Sequence, residues 1–106
     1  MSLGLLNSEI GKFVKERDWD KFHSPENLSK SISIESGELL ECFQWGQDPD
    51  MDRISDELAD VLIYCFLLAK KCQLNIEEII MSKLKESRKK YPVNRFKGKS
   101  DKYDQI

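Results

Sequence analysis

Nine consecutive residues, Val61-Leu62-Ile63-Tyr64-Cys65-Phe66-Leu67-Leu68-Ala69, are apolar without a break, and no other stretch constrains the fold as strongly. The run is about half as long as a membrane span requires. Wound into a helix it is apolar on every side, and such a helix must be covered all round. A chain of 106 residues is one domain by length, and at this size it buries only about 60–65% of its unfolded surface. Four short helices cannot easily cover such a segment within one subunit, so a homo-oligomer is expected to complete the core.

The remainder of the chain also reads as helix. Asn7 or Ser8 is a candidate cap for a first helix carrying Ile10, Phe13, Val14 and Trp19 and ending near Phe22. Ser24-Pro25-Glu26 restarts the chain as cap, first helical residue and first-turn acid, opening a second helix that runs to about Trp45 and is stopped by Gly46. Asp48-Pro49 or Asp52 opens a third, from about residue 50 to Cys72, with Lys70 and Lys71 at the negative end of its dipole. Asn75-Ile76-Glu77-Glu78 has the form of a capping box, and a fourth helix follows from Ile76 to about Tyr91, where Pro92 ends it. No strand-like alternation or repeat interrupts this pattern. The expected architecture is all-α, four helices in a single domain over residues 1–92, followed by a polar tail at 93–106 that lies over the surface or is partly disordered.

Charged residues make up 34% of the chain and hydrophobic ones 40%, with a net charge of −2. That balance provides no global field to attract a nucleic-acid polymer or an anionic membrane. Cys42, Cys65 and Cys72 are odd in number, lack C-x-x-C spacing and fall in apolar runs, so free buried thiols in a reducing compartment are expected. The stretch Met1-Ser2-Leu3-Gly4-Leu5-Leu6 lacks the basic start and the length of a signal peptide. A cytoplasmic protein follows as the expectation.

The acids are unevenly placed. Glu35 and Glu38 stand three apart on the second helix, and Glu57 and Asp60 three apart on the third, a spacing that puts each pair on one helical surface. At about 100° per residue, the stripe of Leu28, Ile32, Leu39, Cys42 and Phe43 has Glu35 near its centre and Glu38 at its edge, with Glu41 almost opposite. An ionised carboxylate inside an apolar stripe is costly unless it is paired or bound to metal. On the third helix, the stripe of Ile54, Leu58, Val61, Cys65, Leu68 and Cys72 has Glu57 at its margin, with Asp60, Tyr64 and Lys71 along the same side. Four oxygen-bearing side chains with no His or Cys cluster suit Mg²⁺, or Mn²⁺, better than zinc. Lys83 and Ser87 interrupt the apolar side of the fourth helix, Ile76, Ile79, Ile80 and Leu84. Lys83 is placed to hold a phosphate, or simply to snorkel to water. Trp19 and Trp45 suit either a core or a stacking role, and His23, just before a cap, suits local structure better than catalysis.

The order E-x-x-E-L-x-E from Glu35, E-L-x-D-V-L-I-Y from Glu57 and K-x-x-x-x-R-x-K-Y-P from Lys83 resembles the all-α MazG-like nucleotide pyrophosphohydrolases. Arg17-Asp18-Trp19, Phe22-His23-Ser24-Pro25-Glu26-Asn27-Leu28, Phe43-Gln44-Trp45 and Tyr91-Pro92-Val93 are similar to the dCTP pyrophosphatase branch. The resemblance covers about residues 10 to 93. It implies a four-helix bundle completed by oligomerisation as a dimer or tetramer. It also implies Mg²⁺-dependent hydrolysis of a (deoxy)nucleoside triphosphate, dCTP or a related pyrimidine nucleotide, to monophosphate and pyrophosphate. By position, Glu35, Glu38, Glu57 and Asp60 would be the catalytic metal-binding acids, Lys83 a phosphate contact, and Trp19, Trp45, Tyr64 and His23 contacts to base or sugar. Ser87 stands where the family pattern usually has Asn, and its shorter hydroxyl offers one donor instead of two. Two other readings remain: a related all-α pyrophosphohydrolase acting on dUTP, a damaged nucleotide or phosphoribosyl-ATP, and a non-catalytic helical interaction module with a structural cation.

Overall fold

In a computed structural model, which describes residues 1–46 and 48–100, the chain is all-α and contains no strand among the described residues. It forms two compact units, Met1–Gln73 and Leu74–Ile106. The first holds α1 (Leu3–Glu16), a single 3₁₀ turn (Asp20–Phe22), α2 (Pro25–Glu41) and α3 (Met51–Lys71). The second holds α4 (Ile76–Lys90) and a one-turn α5 (Val93–Phe96).

Local chemistry sets the helix starts. Ser24 Oγ accepts the Asn27 N–H at 3.1 Å with Pro25 as the first helical residue, and Asp50 Oδ1 accepts those of Asp52 and Arg53 at 3.0 and 3.4 Å. Asn75 Oδ1 accepts the Glu78 N–H at 3.0 Å. Each bond satisfies a donor that the first helical turn leaves free. α1 begins earlier than expected. Its cap is Ser2, whose Oγ accepts the Leu5 N–H at 3.1 Å, and Asn7 and Ser8 lie inside the helix.

α1 also ends at Glu16 and not near Phe22. Asp18 adopts φ of 55°, a left-handed conformation that stops a helix and that Asp tolerates better than most residues. The chain then folds back, setting Trp19 edge-on to Phe13 at 5.7 Å between ring centroids. α2 stops at Glu41 instead of Trp45 because Cys42, Phe43 and Gln44 donate to the third residue before them, tightening the end into turns. Gly46 then takes φ of 64°, the left-handed role expected of it. Residues 93–96 of the expected tail are helical instead, and Phe96 is buried with its ring edge-on to Tyr91 at 4.9 Å. Residues 101–106 of that tail lie outside the described residues.

The core of the first unit is Val14 of α1, Leu28 of α2 and Leu67 of α3, with Ile10, Tyr64 and Leu68 packed on it. The inward face of α3 is therefore turned from the stripe read in the sequence. Leu67 and Ala69 are its buried residues, while Leu58 is 44% exposed and Cys72 is exposed. A helix apolar on every side gives periodicity no contrast from which to choose a face. All three cysteines are free thiols, but only Cys42 and Cys65 are even half-buried. No helix of the described residues is long and apolar enough to cross a membrane.

Candidate functional site

The acids of α2 and α3 meet. Glu35, Glu57 and Asp60 each bring a carboxylate oxygen to within 4.8 Å of the others. Glu38 joins them through contact with both Glu35 and Glu57. The α2 stripe drives this arrangement: Leu28 is 1% exposed, and turning it inward carries Glu35 and Glu38 into the α2–α3 seam. Glu41 points outward as its helical position requires, and its carboxylate meets Arg53 at 3.7 Å.

The cluster is electrostatically unfavourable as it stands. Burial pushes the Glu35 carboxyl up to about 7, helped by a hydrogen bond shared with Glu38 and by the charges of Glu38, Asp60 and Glu57. The Glu57 carboxyl is raised too, by burial first and then by Glu38 and Asp60, while Arg53 acts in the opposite sense. Glu35 Oε2 and Glu57 Oε2 are both sealed from solvent without a hydrogen-bond donor. Buried acceptors without donors are uncommon and call for an explanation. Oxygens gathered this closely, two of them unsatisfied, are the donor set that a hard divalent cation takes.

A second feature lies toward the C-terminal end of α3. A cavity of about 530 Å³ is lined by Gly11, Val14 and Lys15 of α1, by Asp18, Asp20 and His23 of the connector, and by Leu67, Lys70, Lys71 and Gln73. His23 is half-buried, and its Nδ1 is sealed from solvent without a partner. Tyr64 packs on the core one turn beyond Asp60. Trp19 rests on Phe13, and Trp45 stands 78% exposed after α2. Lys83 and Ser87 lie on α4, where Lys83 meets Glu86 of its own helix at 3.6 Å and Ser87 is half-buried.

The cavity was not legible in the sequence. Lys70 and Lys71 read as complements to the helix dipole, and Asp20 carried no signal. Contacts between distant parts of the chain, the packing of Val14 with Leu67 and the Asp20–Lys71 hydrogen bond across 51 positions, bring these residues to one place, and no local spacing encodes them.

Comparison with known proteins gives consistent results. The MazG-like family pattern matches residues 30–106. The chain is 38% identical over 105 residues to dCTP pyrophosphatase 1 of Mus musculus and 35% identical to that of Homo sapiens, in each case over 90% of this chain and 62% of the relative. It thus spans less than two thirds of the length of these relatives. The crystal structure of a pyrophosphatase from Archaeoglobus fulgidus superposes with a TM-score of 0.76 at 36% identity, covering 85% of this chain and 92% of that one.

Proposed function

The chain belongs to the MazG-like family, and from that premise we propose that it hydrolyses (deoxy)nucleoside triphosphates to the monophosphate and pyrophosphate. The preferred substrate in this reading is dCTP or a related pyrimidine nucleotide. The observation that carries it is the meeting of Glu35, Glu57 and Asp60 within 4.8 Å, with two oxygens sealed and unsatisfied. The names of the relatives, dCTP pyrophosphatase and pyrophosphatase, support the reaction class.

Glu35, Glu38, Glu57 and Asp60 would hold Mg²⁺, with Mn²⁺ an alternative hard cation. A bound cation supplies positive charge at the phosphoryl oxygens and lowers the pKa of water for attack at the α-phosphorus. The protein's own contribution is to hold four carboxyl groups together on two packed helices, so that the oxygen donors are already gathered when substrate arrives. Along α3, a rise of about 1.5 Å per residue puts Leu67 about 10 Å beyond Asp60. That spacing suits a nucleoside lying toward the cavity with its phosphates at the acids. Tyr64 lies between the two, and His23 Nδ1 offers a hydrogen-bonding atom to base or sugar. Trp19 and Trp45 are proposed as further nucleoside contacts, and Lys83 and Ser87 as contacts to phosphate and to sugar or base, on the strength of the sequence resemblance. The active form in this reading is a homo-oligomer, dimer or tetramer. Its support is the exposed apolar side chains of α3, Leu58, Leu62 and Ile63.

Incubation with dCTP and Mg²⁺, with products separated by ion exchange, tests the reaction. Pyrophosphate and dCMP are expected, and release of orthophosphate would overturn the assignment. A panel of triphosphates under the same condition sets the base preference. Failure to hydrolyse any of them would favour the interaction-module reading.

A further inference from the structure

The caps and the other local side-chain hydrogen bonds of the first unit join residues no more than five positions apart. The bond from Lys71 Nζ to Asp20 Oδ1, at 2.9 Å, spans 51 positions. It joins the connector between α1 and α2 to the last residue of α3. That connector carries Trp19 and His23.

Its internal shape is set locally. Trp19 N–H donates to Val14 O at 3.1 Å, Phe22 N–H to Trp19 O at 2.9 Å and His23 N–H to Asp20 O at 3.0 Å. These bonds build the 3₁₀ turn but do not fix it against α3. Lys71 does so from a favourable position, because it continues the side of α3 that carries Glu57, Asp60 and Tyr64. The Lys71 side chain is only 32% exposed while Asp20 is 70% exposed, so the lysine stem lies along the cavity wall and its ammonium reaches outward to the connector. The hydrogen bond and charge of Lys71 hold the Asp20 carboxyl below its usual range.

We propose that Asp20 and Lys71 are positioning residues: their ion pair docks the Trp19–His23 connector onto the end of α3 that lines the cavity, and nucleotide affinity depends on that docking although neither residue touches the reacting atoms. The consequence for affinity rests on the function proposed above, whereas the docking itself does not. The competing description is a surface ion pair of no consequence, as many exposed pairs are.

Two readouts separate these. In the nucleotide-free protein, amide exchange at Phe22 and His23 is expected to quicken several-fold in Asp20→Asn and in Lys71→Met, and to stay at the parent rate in Lys71→Arg, which keeps the charge. In steady-state hydrolysis, both charge-removing variants are expected to raise KM about three- to fivefold with kcat within about twofold, the size an exposed pair can reach. Lys71→Arg is expected to raise KM less than Lys71→Met does. Unchanged exchange in both charge-removing variants overturns the docking. Faster exchange with an unchanged KM, or a fall in kcat at constant KM, overturns the positioning role. If the parent hydrolyses no triphosphate, the functional reading fails and the positioning role falls with it, while the exchange rates still decide the docking.

Discussion

Glu35 of α2 and Glu57 of α3 face one another across the helix seam, each with its Oε2 sealed from solvent and without a donor. Burial is the largest cause of the rise in both, and neighbouring acids add to it. The pair is therefore a source of instability, and in the proposed metal site it would be a source of affinity for the cation.

Stability should accordingly fall as pH rises. Glu35 titrates near 4.5 in an ordinary environment and at about 7 in the fold, so between these values the folded state holds a proton that the unfolded chain has released. Stability then decreases with rising pH across that window, and Glu57 acts in the same direction. Thermal unfolding in chelator from pH 4.5 to 8 should show the decline, and Glu35→Gln should flatten it. A parent whose Tm rises through the window would contradict the assignment.

Metal binding should reverse the trend. Carboxylates must be deprotonated to bind, so the increase in Tm on adding Mg²⁺ should be larger at pH 8 than at pH 6. Calorimetric titration near pH 7 in buffers of different ionisation enthalpy should detect proton release. Equal stabilisation at both pH values would mean that Glu35 is not among the ligands.

Glu38 and Glu41 lie on the same helix one turn apart and should behave differently. Glu38→Gln removes a carboxylate in contact with both Glu35 and Glu57 and should lower metal affinity or turnover by at least about 10- to 100-fold. Glu41→Gln loses an exposed pair with Arg53 and should change stability by no more than about 1 kcal/mol, with activity intact. Similar losses in both variants would show that contact with the cluster is not what matters.

This contrast was legible in the sequence because α2 alternates apolar and polar sides, so the positions of Glu35 and Glu41 follow from 3.6-residue periodicity. α3 carries no such contrast. Its buried Leu67 fell outside the expected stripe, and Leu58, which fell inside it, is exposed. Helix starts were legible where a single cap candidate stood before an apolar run, as at Ser24 and Asn75. The end of α1 was not, because it depends on Asp18 accepting a left-handed backbone so that Trp19 can pack on Phe13. The four acids were readable as two local pairs, whereas the cavity depends on contacts between distant parts of the chain.

Leu28 joins the core to the site. It is 1% exposed and packs with Val14 and Leu67, two turns before Glu35 on the same helix. Leu28→Ala should cost about 2–5 kcal/mol, measured by denaturant unfolding in the presence of Mg²⁺. A loss below about 1 kcal/mol would indicate that α2 is held to α3 chiefly through the acids and their ion.

The outward side of α3 bears on the oligomer. Leu62 is 49% exposed and Leu58, one turn earlier, 44% exposed, although the surrounding run is apolar on every side. Large contiguous apolar patches mark association surfaces, and Leu58, Leu62 and Ile63 are proposed as part of one. Light scattering should find the parent as a dimer or tetramer, and Leu62→Arg should shift it toward the monomer by placing a charge in the seam. Because the small core of one subunit would then lose its covering, Tm should fall with dissociation and depend less on protein concentration than in the parent. A monomeric parent, or a Leu62→Arg variant with unaltered mass and Tm, would place the association surface elsewhere.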